Sequence, residues 1–283
     1  MKIIECPRDA MQGIAEFIPT ETKISYINQL IKIGFDTIDV GSFVSPKAIP
    51  QMRDTAEVLR GLDLHQANSK LLVIVANVRG ALDALDFDEV ATLGFPLSLS
   101  ETFQQRNTNK SIEEAIKVVD RINDLCEQSY RKLVVYLSMG FGNPYGDAYS
   151  PELLTEFTEK LQEIGVQRVA LADTVGTATP SMVKEVFEMV LPAFPEMEIG
   201  AHLHATPQDA YALVKAAYEA GCRRFDSAMG GLGGCPMAKD SLTGNISTET
   251  LVEYLMSIDA LPEMNMEALA IASERRRILL PSN

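Results

Sequence analysis

Two of the three histidines in this 283-residue chain, His202 and His204, stand two residues apart inside the apolar run Ile199–Ala205. If that run is a strand, the spacing turns both imidazoles to one side. Two nitrogen donors can then converge on a divalent cation without distorting the backbone. The same spacing suits two buried imidazoles bonded to their neighbours, and the pair alone does not decide. Asp9, just past the first apolar run, adds a carboxylate and weighs toward a metal. A zinc finger is excluded, because the cysteines at 6, 126, 222 and 235 form no CxxC pair. A second cluster is Gly230-Gly231-Leu232-Gly233-Gly234-Cys235-Pro236. Its glycines suit a mobile loop, a nest of amides for an anion, or a plain tight turn. A cysteine on such a loop is placed to trade protons at a catalytic mouth. Cys6, Cys126 and Cys222 lie on or near apolar runs and read as small core residues. Asn245, after Gly244, either returns a carboxamide oxygen to the site or marks a turn.

These groups need a scaffold, and eight short β-branched runs supply its strands: Ile3–Asp9, Thr37–Phe43, Leu71–Asn77, Leu97–Glu101, Leu133–Met139, Arg168–Thr174, Ile199–Ala205 and Arg224–Met229. Nearly continuous apolar runs of this kind are buried parallel strands. Helical patterns alternate with them. Thr20–Ile33 has apolar residues at 24, 27, 30 and 31, and Ser111, Ser150-Pro151, Thr179-Pro180 and Thr206-Pro207 read as helix starts. Gly34, Gly94, Gly165 and Gly221 read as helix stops. Eight βα units predict a (β/α)8 TIM barrel, an α/β fold, with an extra helix near the C-terminus and a single catalytic domain over 1–283. An open doubly-wound sheet would carry a G-x-G-x-x-G turn after its first strand, whereas this chain has Arg8-Asp9-Ala10-Met11-Gln12-Gly13. In a barrel the chemistry sits at the C-terminal strand ends, and Arg8, Asp9, Asp39, Asn77, Glu101, Asp173, His202 and His204 collect there. Lys70 and Lys132 fall at the opposite ends. No strand interior carries the lysine that a Schiff-base aldolase needs.

Composition narrows the partners. The chain is 46% hydrophobic and 23% charged, with a net charge of −14. That balance argues against nucleic acid and against an anionic membrane surface as partners. It leaves room for a phosphorylated small molecule held by local cations. Lys47, Arg53, Arg79, Arg106 and Lys110 follow the second to fourth strands and can line a rim, although each alone reads as an ordinary surface charge. No apolar run reaches membrane-spanning length and the first residues hold no leader pattern. The expected location is cytoplasmic.

The segment Gly41-Ser42-Phe43-Val44-Ser45-Pro46-Lys47-Ala48-Ile49-Pro50-Gln51-Met52 and the run Gly231–Pro236 with Gly244-Asn245 resemble the 3-hydroxy-3-methylglutaryl-CoA lyase family. Pro7-Arg8-Asp9 with Gln12, Asp173-Thr174 and His202-x-His204 resemble the wider group of metal-dependent barrels that includes isopropylmalate and homocitrate synthases. The resemblance runs from about residue 6 to residue 255. It implies cleavage of an acyl-CoA substrate, 3-hydroxy-3-methylglutaryl-CoA or a related 3-hydroxyacyl-CoA, to acetyl-CoA and a keto acid. It implies Mg²⁺ or Mn²⁺ on Asp9, His202, His204 and Asn245. It gives Arg8 the enolate oxygen and Cys235 the proton transfer to the carbanion, and it marks Asp39, Asp173 and His202 as further catalytic residues. It also implies a homodimer or larger assembly. A condensing transferase or aldolase, and a non-catalytic ligand-binding barrel, are the competing readings. The chain departs from the family at Asp39, where the longer Glu is usual, at Ala10-Met11, and at Ala205–Gln208, which replaces Asp-Thr-Tyr-Gly.

Overall fold

Eight aliphatic runs pair in parallel, in chain order, and β8 closes on β1 to complete a barrel. The strands are β1 (Lys2–Glu5), β2 (Thr37–Ser42), β3 (Lys70–Ile74), β4 (Val90–Ser98), β5 (Lys132–Ser138), β6 (Arg168–Asp173), β7 (Glu198–Leu203) and β8 (Arg224–Ser227). The computed structural model describes residues 1–65, 67–234 and 243–279. Alternation along each strand divides the core. Leu72, Ile74, Val134, Tyr136 and Ala170 form a plug of their own, whereas Leu71, Val73, Val135 and Leu171 join the larger layer of apolar side chains.

The helices are α1 (Pro7–Gln12), α2 (Thr20–Ile31), α3 (Thr55–Gly61), α4 (Val78–Leu85), α5 (Glu101–Thr108), α6 (Ile112–Gln128), α7 (Pro151–Glu163), α8 (Pro180–Ala193), α9 (Ala210–Glu219), α10 (Thr248–Ser257) and α11 (Met266–Leu279). The last is the extra C-terminal helix. Several starts follow from capping chemistry. Ser111 and Glu114 make a reciprocal capping box on α6, and Ser150 and Thr179 accept from the third residue of α7 and α8, with proline at the first position. Among the described residues no helix is long and apolar enough to cross a membrane.

Three local expectations are corrected. The first strand does not reach Asp9. It stops at Glu5, and Pro7, which has no N–H for a ladder, opens α1, so Arg8 and Asp9 sit on a short helix over the barrel mouth. Gly94 ends no helix. It lies inside β4, which begins at Val90 rather than at Leu97, and a Cβ there would meet Ile74 Cδ1 at 2.5 Å and Tyr136 Cε2 at 3.0 Å. Thr206-Pro207 does not start α9. The Thr206 hydroxyl is spent on Asp209, 2.6 Å away, and the helix begins at Ala210.

Beside α1, Lys23 of α2 is buried and pairs with Asp54 at 2.6 Å, while its ammonium also bonds the Gln51 carbonyl. The Gln51 side chain in turn accepts from the Ile18 N–H at 2.9 Å and donates to the Ile14 and Glu16 carbonyls, both at 2.9 Å, which fastens the loop behind α1. Removing one partner of a buried pair strands the other charge. Lys23→Met is therefore expected to lower stability by about 3 kcal/mol in urea unfolding. Adding Asp54→Asn should return part of that loss.

Candidate active site

The polar strand ends meet at one mouth. A cavity of about 130 Å³ is lined by the polar groups of Arg8, Asp9, Gln12, His202 and His204 and by the side chains of Ile49, Ile74, Pro96, Phe103 and Tyr136. His202 is the next-to-last residue of β7, and His204, just past the strand's end, forms a bridge to Asn245. Their Nε2 atoms are 3.3 Å apart, and Asp9 Oδ2 lies 4.0 Å from His204 Nε2.

The outer nitrogens decide the tautomers. His204 Nδ1 donates to the Thr243 carbonyl at 2.8 Å, and His202 Nδ1 donates to Asp226 Oδ2 at 3.2 Å. When both rings are neutral their protons sit on Nδ1, and both Nε2 atoms present lone pairs toward each other beside a carboxylate. A cation relieves that arrangement, and Asp9, His202 and His204 together can hold one. Burial alone would lower the His202 pKa, but the Asp226 carboxylate raises it. Burial and the neighbouring His202 lower that of His204. Burial would raise Asp9, yet the Arg8 guanidinium holds it down at about 2, so it is a carboxylate at neutral pH.

Arg8 fixes the acidic side. Its Nη1 donates to Asp9 Oδ1 and Gln12 Oε1, each at 2.9 Å, and its Nε and Nη2 donate to Asp39 Oδ2 at 2.9 and 2.6 Å. Asp39 is wholly buried, and burial outweighs Arg8 to push its carboxyl up to about 6. The β2–β3 register shifts between Asp39 and Gly41, a bulge that re-aims the strand beside the site. Asp39 Oδ1 has no hydrogen-bond partner among the described residues.

Asn245 also joins the cluster. Its Nδ2 donates to Asp9 Oδ2 at 2.6 Å and to the Leu232 carbonyl at 2.9 Å, so in this arrangement the carboxamide nitrogen, not its oxygen, faces Asp9. Gly233 makes this closeness possible. Its φ is +107°, and a Cβ there would lie 2.5 Å from Asn245 Nδ2 and 2.9 Å from the Asp9 carbonyl oxygen. Asp173 is committed elsewhere. Its buried carboxylate accepts the N–H groups of Gly176, Thr177 and Ala178 at 2.8 to 3.0 Å. The loop it shapes packs Gly176 against Thr243, the residue whose carbonyl orients His204. Cys235 lies outside the described residues. Of the proposed rim cations, Arg53 stacks on Phe17 at 3.4 Å and Arg106 on Tyr145 at 4.5 Å, while Arg79 approaches Asp83 at 4.0 Å.

Asp226 escaped the sequence reading. An aspartate two residues into a strand gave no motif, although its in-facing register opposite His202 would have been the signal. Glu5 escaped as well. It is fully buried, accepts from the Met229 N–H at 2.9 Å and the Thr248 hydroxyl at 2.5 Å, and so ties the base of the glycine run to β1. Burial pushes its carboxyl up from 4.5 to about 8. The native state therefore holds an extra proton, and the stability it contributes is full below pH 4.5 and lost as pH rises through 8. Urea unfolding at pH 5 and at pH 8 should show a drop of a few kcal/mol in the native protein that Glu5→Gln lacks.

Comparisons with known proteins place the chain in a family. The family model described as HMGL-like matches residues 2–275. The chain is 36% identical to the hydroxymethylglutaryl-CoA lyase YngG of Bacillus subtilis over 268 residues, 95% of this chain and 89% of that one. It is 36% identical to the cytoplasmic 3-hydroxy-3-methylglutaryl-CoA lyase of Rattus norvegicus, over 90% of this chain and 74% of that one. Among solved structures, an HMG-CoA lyase from Acinetobacter baumannii in complex with coenzyme A and 3-methylmalate superposes with a TM-score of 0.92 at 35% identity, covering 100% of this chain and 92% of that one. With a matching barrel, a matching family model and lyases at more than one third identity, the chain belongs to the HMGL-like family.

Proposed function

We propose that this protein cleaves 3-hydroxy-3-methylglutaryl-CoA, or a closely related 3-hydroxyacyl-CoA, to acetyl-CoA and a keto acid, acetoacetate in the parent reaction. One observation carries the reading: Arg8, Asp9, His202 and His204 converge on a single cavity in a chain whose relatives are named as lyases of this substrate. A divalent cation on Asp9, His202 and His204, with Asn245 beside them, would supply a Lewis acid that lowers the pKa of the substrate's tertiary hydroxyl. Mg²⁺ or Mn²⁺ would suit this set of one carboxylate and two imidazoles beside the substrate's oxygens.

The chain's own groups do the rest. Once the hydroxyl proton is taken by a base, the C2–C3 bond breaks. C3 becomes the keto carbon, and the electron pair passes to the acetyl thioester as an enolate. The Arg8 guanidinium, held by Asp39 and Gln12, lines the cavity, and in this reading it stabilises the charge that grows on the thioester oxygen. Asp39 and Asp173 act as supports in this scheme, one orienting Arg8 and the other shaping the loop behind His204. The family resemblance gives Cys235 the delivery of a proton to the departing carbon. A single catalytic domain, an acyl-CoA partner, a homodimeric or larger assembly and a cytoplasmic location all accord with this reading.

Cys235→Ala tests the proton transfer. Turnover should fall by about 10² to 10⁴-fold while Mn²⁺ affinity stays unchanged. Full turnover would remove Cys235 from the mechanism. Supplying acetyl-CoA with a 2-keto acid separates the condensing reading, since formation of a condensation product in preference to cleavage of 3-hydroxy-3-methylglutaryl-CoA would displace the lyase assignment.

A further inference from the structure

The metal-site histidine is braced from the far end of the barrel by a charge the proposed chemistry does not use. Arg224 opens β8 at the N-terminal floor, and its residue is 5% exposed. Arg224 and Asp226 stand two residues apart on one side of that strand. On the neighbouring strand β7, Glu198, Gly200 and His202 share a side in the same way. Arg224 Nε lies 3.4 Å from Glu198 Oε1 at the floor, and its Nη1 lies 2.9 Å from Asp226 Oδ1 above, an ion pair rather than an aligned hydrogen bond. The other oxygen of Asp226 receives His202 Nδ1. Gly200 gives the long side chain its passage. A Cβ there would lie 2.8 Å from Arg224 Nη1 and 2.9 Å from its Cδ and Cγ. Glu198 is shared with Lys2 and with Arg168, whose Nε is 3.9 Å away, so it does not neutralise Arg224 alone and positive charge remains for Asp226.

We propose that Arg224 is a positioning residue for the metal site. Threaded past Gly200 and anchored on Glu198, it fixes the Asp226 carboxylate that holds the His202 ring with Nε2 toward Asp9. Groups that orient a metal-ligating histidine are worth about 10 to 100-fold in metal affinity. The inference rests on the metal-site reading, but its tautomer readout needs no metal.

The experiment uses the full chain in four forms: Arg224→Ala, Gly200→Ala, the double variant, and Lys70→Ala as a floor cation that pairs with Asp36 and touches neither Glu198 nor Asp226. Nitrogen NMR of the metal-free proteins, at a pH where both imidazoles are neutral, reads the His202 tautomer, and calorimetry reads Mn²⁺ affinity, both well below the unfolding temperature. The native protein and Lys70→Ala should hold His202 with its proton on Nδ1 and bind Mn²⁺ alike. Arg224→Ala should mix the tautomers and weaken Mn²⁺ about 10-fold. Gly200→Ala, which keeps the arginine but displaces it, should show the same loss in smaller measure and should add nothing to Arg224→Ala. A native-like tautomer in both Arg224→Ala and Gly200→Ala, or losses that multiply in the double variant, would overturn the proposal. If Arg224→Ala does not fold, Gly200→Ala decides alone. Absence of Mn²⁺ binding in the native protein would count against the metal reading, and the tautomer would still judge the brace.

Discussion

Asp9→Ala should keep the barrel and lose the cation. Asp9 is an ionised carboxylate on the Nε2 side of the two imidazoles, 4.0 Å from His204 Nε2. Its low pKa means that it holds no proton to be displaced at neutral pH. Supports outside the ligand set already shift metal affinity by about 10 to 100-fold, and a ligand itself should exceed that. Calorimetric Mn²⁺ titration should therefore show a loss of at least about 100-fold, and turnover should vanish with it. The fold should persist, since α1 is held by Pro7 and by Arg8 on Asp39, neither of which needs Asp9. Unchanged Mn²⁺ affinity in a folded Asp9→Ala protein would move the cation elsewhere.

Arg8→Met should give the complementary result, a protein that binds the cation and turns over poorly. Arg8 donates to Asp39, Asp9 and Gln12 and lines the cavity, so it is oriented before any substrate arrives. A preorganised donor to a developing oxyanion is worth about 10²- to 10³-fold in kcat. Mn²⁺ affinity should fall far less than in Asp9→Ala, because Asp9, His202 and His204 all remain and the cation itself favours the Asp9 carboxylate. A fall in substrate affinity with kcat preserved would assign Arg8 to ground-state binding instead.

The sequence showed the barrel because parallel strands buried on both faces read as unbroken aliphatic runs, such as Leu71–Val75 and Val169–Ala172. It missed the early start of β4, where Gly94 and Pro96 interrupt the apolar signal although they are held by their neighbours inside the strand. His202 and His204 were legible because their spacing is local. Asp9 was legible because it adjoins Arg8 in a short motif. Their supports were not. Asp226 is 24 residues from the histidine it holds, and Thr243 orients His204 through a carbonyl that every residue type carries. Arg224 was read only as a strand boundary, since nothing in its own segment indicates that Gly200 on another strand makes room for it. Asp173 looked like a site acid, and its side chain instead caps three loop amides, a distinction made only by the loop's path.

The central claim is tested most directly by a coupled assay for acetyl-CoA release from 3-hydroxy-3-methylglutaryl-CoA, run with Mg²⁺ or Mn²⁺ and then with a chelator. The account predicts release that requires the metal, stops on chelation and returns when the ion is restored. Protein that binds Mn²⁺ at Asp9, His202 and His204 yet releases no acetyl-CoA would contradict it, and Asp39 and the Ala205–Gln208 segment would then be the first places to look for a different substrate.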